Sequence, residues 1–271
     1  MSVVAMVPVS VIIPCFRCAK TISAAIESVR KQTAEALEVI AVDDASDDDT
    51  PRELTELVRR YGEKWLQVIC LARNEGPATA RNIGWNAAKG DLVAFLDADD
   101  TWHPRKLEIQ YSVMRDDPTI ALSGHRRVLG EGAQILTSAR PAIAEIKPQS
   151  LLWRNPFSPP SIMLRRELRG RFPDGQRHME DHRAWLQFAF SGHRIVMIDL
   201  PLAARHKPAY GASGQSADLI AMERAELENY RQVWREGHIN SLLLTVLWIW
   251  SLAKFARRLV VVALRRISRP A

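Results

Sequence analysis

The sequence has 271 residues, 47% hydrophobic, 25% charged and 7% aromatic, a globular mixture with material for a substantial core, which excludes disordered and low-complexity classes. Lys and Arg number 37 against 31 Asp and Glu, but the whole +6 excess falls on Lys254, Arg257, Arg258, Arg265, Arg266 and Arg269, a closing stretch without an acid. The body is therefore neutral, which argues against nucleic acid as a partner and leaves a basic tail suited to an anionic surface. The three cysteines, Cys15, Cys18 and Cys70, make no disulfide framework and fit a reducing, cytoplasmic location. Met1 to Phe16 lacks the basic start of a secretory signal and is interrupted by Pro8 and Pro14. Ile239 to Ala253, the longest uncharged apolar stretch, is short of the roughly 20 residues that cross a bilayer.

Taken in order, Val9 to Ile13 is a β-branched run closed by Pro14 and reads as a buried strand. Ile22, Ala25, Ile26 and Val29 recur at helical spacing. Leu37 to Val42 is a second strand, ending in the acidic cluster Asp43 to Asp49. Thr50 is expected to cap the next helix, with Pro51 in its first position and Glu53 closing a capping box. Leu66 to Leu71 is a third strand, Gly76-Pro77 opens a helix to about Ala88, and Leu92 to Leu96 is a fourth strand, apolar throughout. A strand apolar on both faces belongs inside a parallel sheet covered by helices. The pattern predicts an α/β fold: a Rossmann-like, mostly parallel sheet flanked by helices.

Beyond residue 100 the pattern loosens. Helices are expected over Pro104–Met114, Asp181–Phe190 and Ala217–Glu236, a strand over Ser161–Leu164, a late edge strand over Arg194–Ile198 and a loop over Gly211–Gln215. Residues 1–238 are read as one domain, with halves at 8–100 and 101–210, and residues 239–271 as an amphipathic tail. On a helix, Lys254, Arg258 and Arg265 share one face and Leu252, Phe255, Leu259 and Val262 the other, just after Trp248 and Trp250. This suits a helix lying on an anionic leaflet. The competing reading docks the helix on the body or on a second subunit.

In open α/β sheets, ligands bind beyond the carboxyl ends of the parallel strands. Those ends carry Pro14-Cys15-Phe16, Asp43-Asp44-Ala45-Ser46 and Asp97-Ala98-Asp99-Asp100. Asp97 and Asp99 are two apart, so in an extended segment both carboxylates face one side. Such a pair suits a hard divalent cation, Mg2+ or Mn2+, that fills its shell with water and substrate phosphate. The ligand this implies contains a diphosphate.

Ser10-Val11-Ile12-Ile13-Pro14, Val42-Asp43-Asp44-Ala45-Ser46, Ala80-Arg81-Asn82-x-Gly84 and Phe95 to Asp100 occur in that order. With Asn155 to Ser161 and Glu180-Asp181-His182-x-x-Trp185, the set resembles the inverting family 2 glycosyltransferases of the A-type fold. The resemblance implies a metal-dependent enzyme that moves a sugar from a nucleoside-diphosphate sugar to a glycan or lipid-linked glycan, at the cytoplasmic membrane face, in polysaccharide assembly. It implies Phe16 stacking on the base beside Pro14, Asp44 accepting from the base, and Arg81 ordering the rim or the diphosphate. Asp97 would touch the ribose or share the metal, and Asp99 would be the main metal ligand, with His206 reaching the metal or diphosphate. Asp181, paired with Glu180, would be the catalytic base. Trp102 either lines the sugar pocket or anchors the following helix. The family's Asn after the strand-one aromatic is Arg17 here, which places the local turn in question.

Two other enzyme classes share fragments of this pattern. Asp97-Ala98-Asp99-Asp100-Thr101 also fits the phosphotransfer motif of haloacid-dehalogenase-like phosphatases, but that motif belongs on a first strand and leaves Asp43-Asp44 without a role. Cys15-x-x-Cys18 has the spacing of a redox pair, yet such a site needs no carboxylates, and two small soft residues in a turn suffice. A protein that binds sugar nucleotides without turning them over is the remaining alternative.

Overall fold

The computed structural model describes residues 5–130, 141–206 and 218–267, with side chains up to residue 262. Residues 207–217, which include the expected loop Gly211–Gln215, and Arg269 lie outside the described residues.

The first half alternates strand and helix in chain order: β1 (Met6–Cys15), α1 (Ile22–Arg30), β2 (Glu35–Asp43), α2 (Thr50–Tyr61), β3 (Leu66–Cys70), α3 (Pro77–Ala87) and β4 (Leu92–Phe95). These strands pair in parallel in the order β3-β2-β1-β4. Side chains alternate across the sheet as a period of two requires. Val9, Val11 and Ile13 of β1 pack with α1, α2 and α4 (Lys106–Asp116) on one face. Ile12, Val93 and Phe95 pack under α3 on the other. Gly84 lies where α3 rests on β1, and a Cβ there would stand 2.5 Å from Ile12 Cγ2. Only glycine allows that approach.

The second half is mixed. β5 (Asp100–Trp102), β6 (Ile120–Leu129), β7 (Ile143–Glu145), β8 (Met163–Arg165) and β9 (Arg194–Arg205) continue the same sheet. The order runs β4-β8-β6-β9-β5, with β7 also on β9. The long β9 is interior, between β6 and β5, and extends past the expected edge strand to Arg205. α5 (Pro148–Trp153), a 3-10 turn at Pro159–Ser161, α6 (Glu180–Phe190), α7 (Leu219–Arg235) and α8 (Ser241–Ile267) complete the chain. Trp85, Phe95, Phe172, Trp185 and Phe188 meet edge-on or tilted at 5.2–6.4 Å in the core that α3 and α6 share.

Two local expectations change. Thr50 is the first residue of α2, after Asp49, and its hydroxyl accepts from the Cys18 N–H at 2.8 Å instead of capping the helix. Two cations of the expected basic face, Lys254 and Arg258, turn to the body instead of to a leaflet. Lys254 pairs with Glu226, and Arg258 pairs with Glu223 and Glu226 of α7, all of these acids being buried. Leu242, Val246, Ile249, Trp250, Leu252, Leu259 and Val260 are the exposed large apolar side chains of α8, and Arg257 is exposed among them. Lys254 and Arg258 turn inward because α7 supplies buried acids that would otherwise lack counter-ions. Among the described residues, no helix is long and apolar enough to cross a membrane.

Candidate functional site

The carboxyl ends of β1, β2 and β4 form one rim. At the first, Phe16 is 44% exposed, with the Arg17 guanidinium 5.2 Å from its ring centre. Arg17 adopts φ 49°, the left-handed region that Asn tolerates better than Arg. The turn is held all the same. The Arg17 N–H donates to Ser46 Oγ at 3.0 Å, and its guanidinium binds Asp47 at 2.6 and 2.7 Å. Asp47 is thus one half of an ion pair, which pulls its pKa below the usual carboxylate range. Cys15 and Cys18 are free and buried behind this turn. The influence of Cys18, with burial, pushes the Cys15 thiol up, and that of Cys15 pulls the Cys18 thiol down. Pro14 is half-buried at the end of β1.

At the second end, Asp44 is buried, and its two oxygens accept from the N–H groups of Glu75 and Gly76 at 2.7 and 2.8 Å. The carboxylate therefore fixes the loop leading into α3. Each oxygen keeps a second lone pair. Arg177 closes over this loop, donating to Asn74 Oδ1 at 2.8 Å and to its carbonyl at 3.1 Å.

At the third end, Asp97 and Asp99 do not lie on an extended segment. The chain turns at Ala98-Asp99, closed by the Asp100 N–H on the Asp97 carbonyl at 3.0 Å. β5 then pairs antiparallel with β9, Asp100 opposite Arg205. That register carries His206 to the rim, where its Nε2 lies 2.9 Å from Thr101 Oγ1. Asp100 is buried, and burial with the neighbouring charge of Asp97 raises it to about 7 against the pull of Arg127. Trp102 is 5% exposed, its indole N–H donates to the Pro160 carbonyl at 2.8 Å, and Lys106 Nζ sits 3.6 Å above its ring. It is an anchor of the core beneath α4, not a wall of the open rim.

The buried Arg81, one turn into α3, joins the two halves. It donates to Asp97 Oδ1 at 2.9 Å and to Glu180 Oε1 at 2.8 Å. Burial alone would lower its pKa, but the two carboxylates outweigh that and hold the guanidinium charged. Glu180 is buried too and is raised to about 7, with Arg81 opposing the desolvation. The adjacent Asp181 is half-exposed, with Asn155 Nδ2 3.4 Å from its Oδ2. Asn82 clamps the backbone of Phe172 on both sides, donating at 2.8 Å and accepting at 3.0 Å. Arg81 and Asn82 together therefore draw the segment before α6 against the β4 rim.

A family model described as glycosyl transferase family 2 matches residues 10–172, more than half of the chain. The chain belongs to glycosyl transferase family 2. Among family relatives, it is 31% identical over 178 residues to the Escherichia coli UDP-Glc:alpha-D-GlcNAc-diphosphoundecaprenol beta-1,3-glucosyltransferase WfgD, covering 66% of this chain and 68% of that one. It is 33% identical over 199 residues to an uncharacterized glycosyltransferase of Rickettsia felis, covering 72% of this chain. The match spans only 32% of that relative and 37% of another from Nostoc. The fold is that of a mannosyltransferase from Pyrobaculum calidifontis in complex with GDP-Man and Mn2+, with TM-score 0.66 at 21% identity over 99% of this chain and 79% of that one. It is also that of S. aureus TarS 1-349 in complex with UDP-GlcNAc, with TM-score 0.65 at 22% identity over 92% and 72%. These likenesses establish a glycosyltransferase A-type architecture.

The phosphatase alternative has no place in this fold, since Asp97 follows the fourth strand and is bound to Arg81. Among the described residues, no group of three or more His, Cys, Asp or Glu is already gathered as a metal cage. The donors at the rim still fit a hard cation that takes much of its shell from substrate. Asp97 and Asp99 follow the end of β4, and the β5–β9 register sets His206 beside Thr101 on the stretch that leads on from them. Asn155 was legible only as part of a motif, and its position beside Asp181 is a product of the fold.

Proposed function

We propose that this protein transfers a sugar from a nucleoside-diphosphate sugar to a hydroxyl of a glycan or lipid-linked glycan with inversion, in polysaccharide assembly. The observation that supports the reading is the Arg81 bridge, which ties Asp97 of the acidic rim to Glu180 beside Asp181. Phe16 offers its exposed ring to the base, with Pro14 and Asp44 shaping the floor beneath. Asp99, with Asp97 and His206, would hold Mg2+ or Mn2+, which when bound neutralises charge on the departing diphosphate. Asp181 is the general base. It is half-exposed where an acceptor hydroxyl can reach it, and it comes from a segment distant from the rim, so it can stand opposite the leaving group. Glu180 and Arg81 hold it there without touching the acceptor.

A glucosyltransferase named for a diphosphoundecaprenol-linked acceptor is among the relatives, which supports a lipid-linked acceptor and a protein peripheral to the cytoplasmic membrane face. The exposed apolar side of α8, with Trp250 edge-on to Trp153 at 6.2 Å, is the surface for that contact. The Lys254 and Arg258 face is not available to lipid.

The test is a panel of nucleotide-sugars assayed for thermal stabilisation and for transfer or hydrolysis, with and without Mn2+. The expected result is metal-dependent turnover of one donor, lowered by about 10²–10³-fold in Asp99→Asn. Stabilisation without turnover would instead make the chain a binding protein. Sedimentation with neutral and anionic vesicles, comparing wild type with Ile249→Glu, checks the lipid contact. Loss of binding in the variant supports it, and unaltered binding refutes it.

A further inference from the structure

The acid pair hangs on an unusual piece of backbone. Met179, the residue immediately before Glu180, has φ 53° and ψ 23° and gives α6 no side-chain cap. Left-handed backbone is unfavourable for a residue with a Cβ, so it persists only where its surroundings fix it. What fixes it comes from the far end of the chain. Asn229, fully buried on α7, donates from Nδ2 to the Met179 carbonyl at 2.9 Å. Its Oδ1 accepts from Gln176 Nε2 at 3.0 Å, and the same Gln176 nitrogen reaches the His178 carbonyl at 2.8 Å. The Met179 carbonyl also accepts the Arg183 N–H at 3.1 Å, an opening bond of α6. One amide therefore holds the strained residue and the loop leading into it.

α7 is itself pinned. Tyr230, next to Asn229, donates to Glu226 at 2.8 Å, and Glu226 pairs with Lys254 and Arg258 of α8. The Tyr230 ring stands edge-on to His182 at 6.3 Å, and His182 Nε2 lies 2.8 Å from the Leu151 carbonyl. Among the described residues, the side-chain hydrogen bonds of Asn229 go to Gln176 and Met179, next to the acids and not to them.

We infer that Asn229 is a positioning residue for glycosyl transfer: through the Met179 carbonyl it sets the aim of Asp181, so the α7–α8 hairpin is part of the catalytic apparatus. This rests on Asp181 being the base. The amide serves here because it donates to a carbonyl and accepts from Gln176 at once. A carboxylate at 229 still accepts from Gln176 but faces the Met179 carbonyl with no proton to give.

The test compares full-length wild type, Asn229→Ala, Asn229→Asp and Gln176→Ala. Three readouts are needed: melting temperature, hydrogen exchange over residues 176–183, and kcat and KM with the donor that stabilises the wild type. Asn229→Ala and Asn229→Asp are expected to speed exchange in that segment about tenfold or more, consistent with loss of one or more local hydrogen bonds. They should lower kcat by about 10²-fold, the usual penalty of an ångström's misplacement, while donor KM stays within about twofold. Gln176→Ala, which leaves the Met179 bond, should show a smaller loss. If Asn229→Ala does not fold, the Asn229→Asp and Gln176→Ala pair decides. Unchanged exchange at 176–183 overturns the inference whether or not the chain transfers sugar. Faster exchange there with kcat unchanged overturns the link to Asp181. Absence of transfer by the wild type would instead refute the functional reading, while the exchange result still judges the Met179 contact.

Discussion

The two halves of the sheet hold their acids by different means. In residues 6–95 the acids at the strand ends are held largely by nearby backbone: Asp44 takes two N–H groups from the loop into α3, and Asp48 takes the N–H of Thr50. In residues 100–235 they are held by side chains from remote segments. Glu180 is bound by Arg81, 99 positions away, and the turn before it by Asn229, 50 positions on. Backbone donors survive most substitutions, whereas side-chain donors do not. The strand-end acids assigned to the donor should therefore keep their positions when neighbouring side chains change, whereas those assigned to the acceptor should be lost at single positions.

The sharpest way to break this contrast is Asp181→Asn, expected to lower transfer by about 10²–10⁴-fold, the range for a general base, with donor binding retained. Equal loss of donor affinity would mean that the two halves do not divide the work. Next is Arg81→Met, which strips Glu180 and Asp97 of a shared counter-ion in a buried setting and should cost about 3–5 kcal/mol in denaturant unfolding. A cost near zero would show that the halves are joined by packing alone. The smallest effect concerns acid. Among the described residues, the buried histidines are His125 and His182, both in the second half. Burial, with Lys106 nearby, lowers His125 to about 3. The unfolded chain, near 6.5, then binds the proton that the folded one refuses, so stability falls as pH drops from about 6.5 towards 3. In His125→Asn the melting temperature should decline less over that interval, and an identical decline would assign the acid sensitivity elsewhere.

The same contrast explains what could be read beforehand. β1 to β4 and their helices are local patterns, apolar runs bounded by turn residues, and their strand ends pointed to Phe16, Asp44 and Asp97. β6 was missed because Ser123-Gly124-His125-Arg126-Arg127 carries no strand signature, and these residues are buried at Ser123 and His125 only because β8 and β9 flank them. β5 has three residues, too few to show a period. β9 was cut short at Ile198 because Asp199 and Pro201 interrupt it, and the register with β6 does shift near Pro201. The orientation of α8 depended on Glu223 and Glu226, whose burial no reading of α8 alone reveals. Asn229 had no signal, since an amide in a polar helix is unremarkable until its partner is seen.

The bare Cα at position 84 also works as a spacer for the Arg81 bridge. Arg81 lies one turn before it, so the height at which α3 rides on Ile12 also fixes how far the guanidinium reaches over the rim. A single methyl group there would jack the helix outward, and the gap between Asp97 and Glu180 would widen although neither residue had been altered.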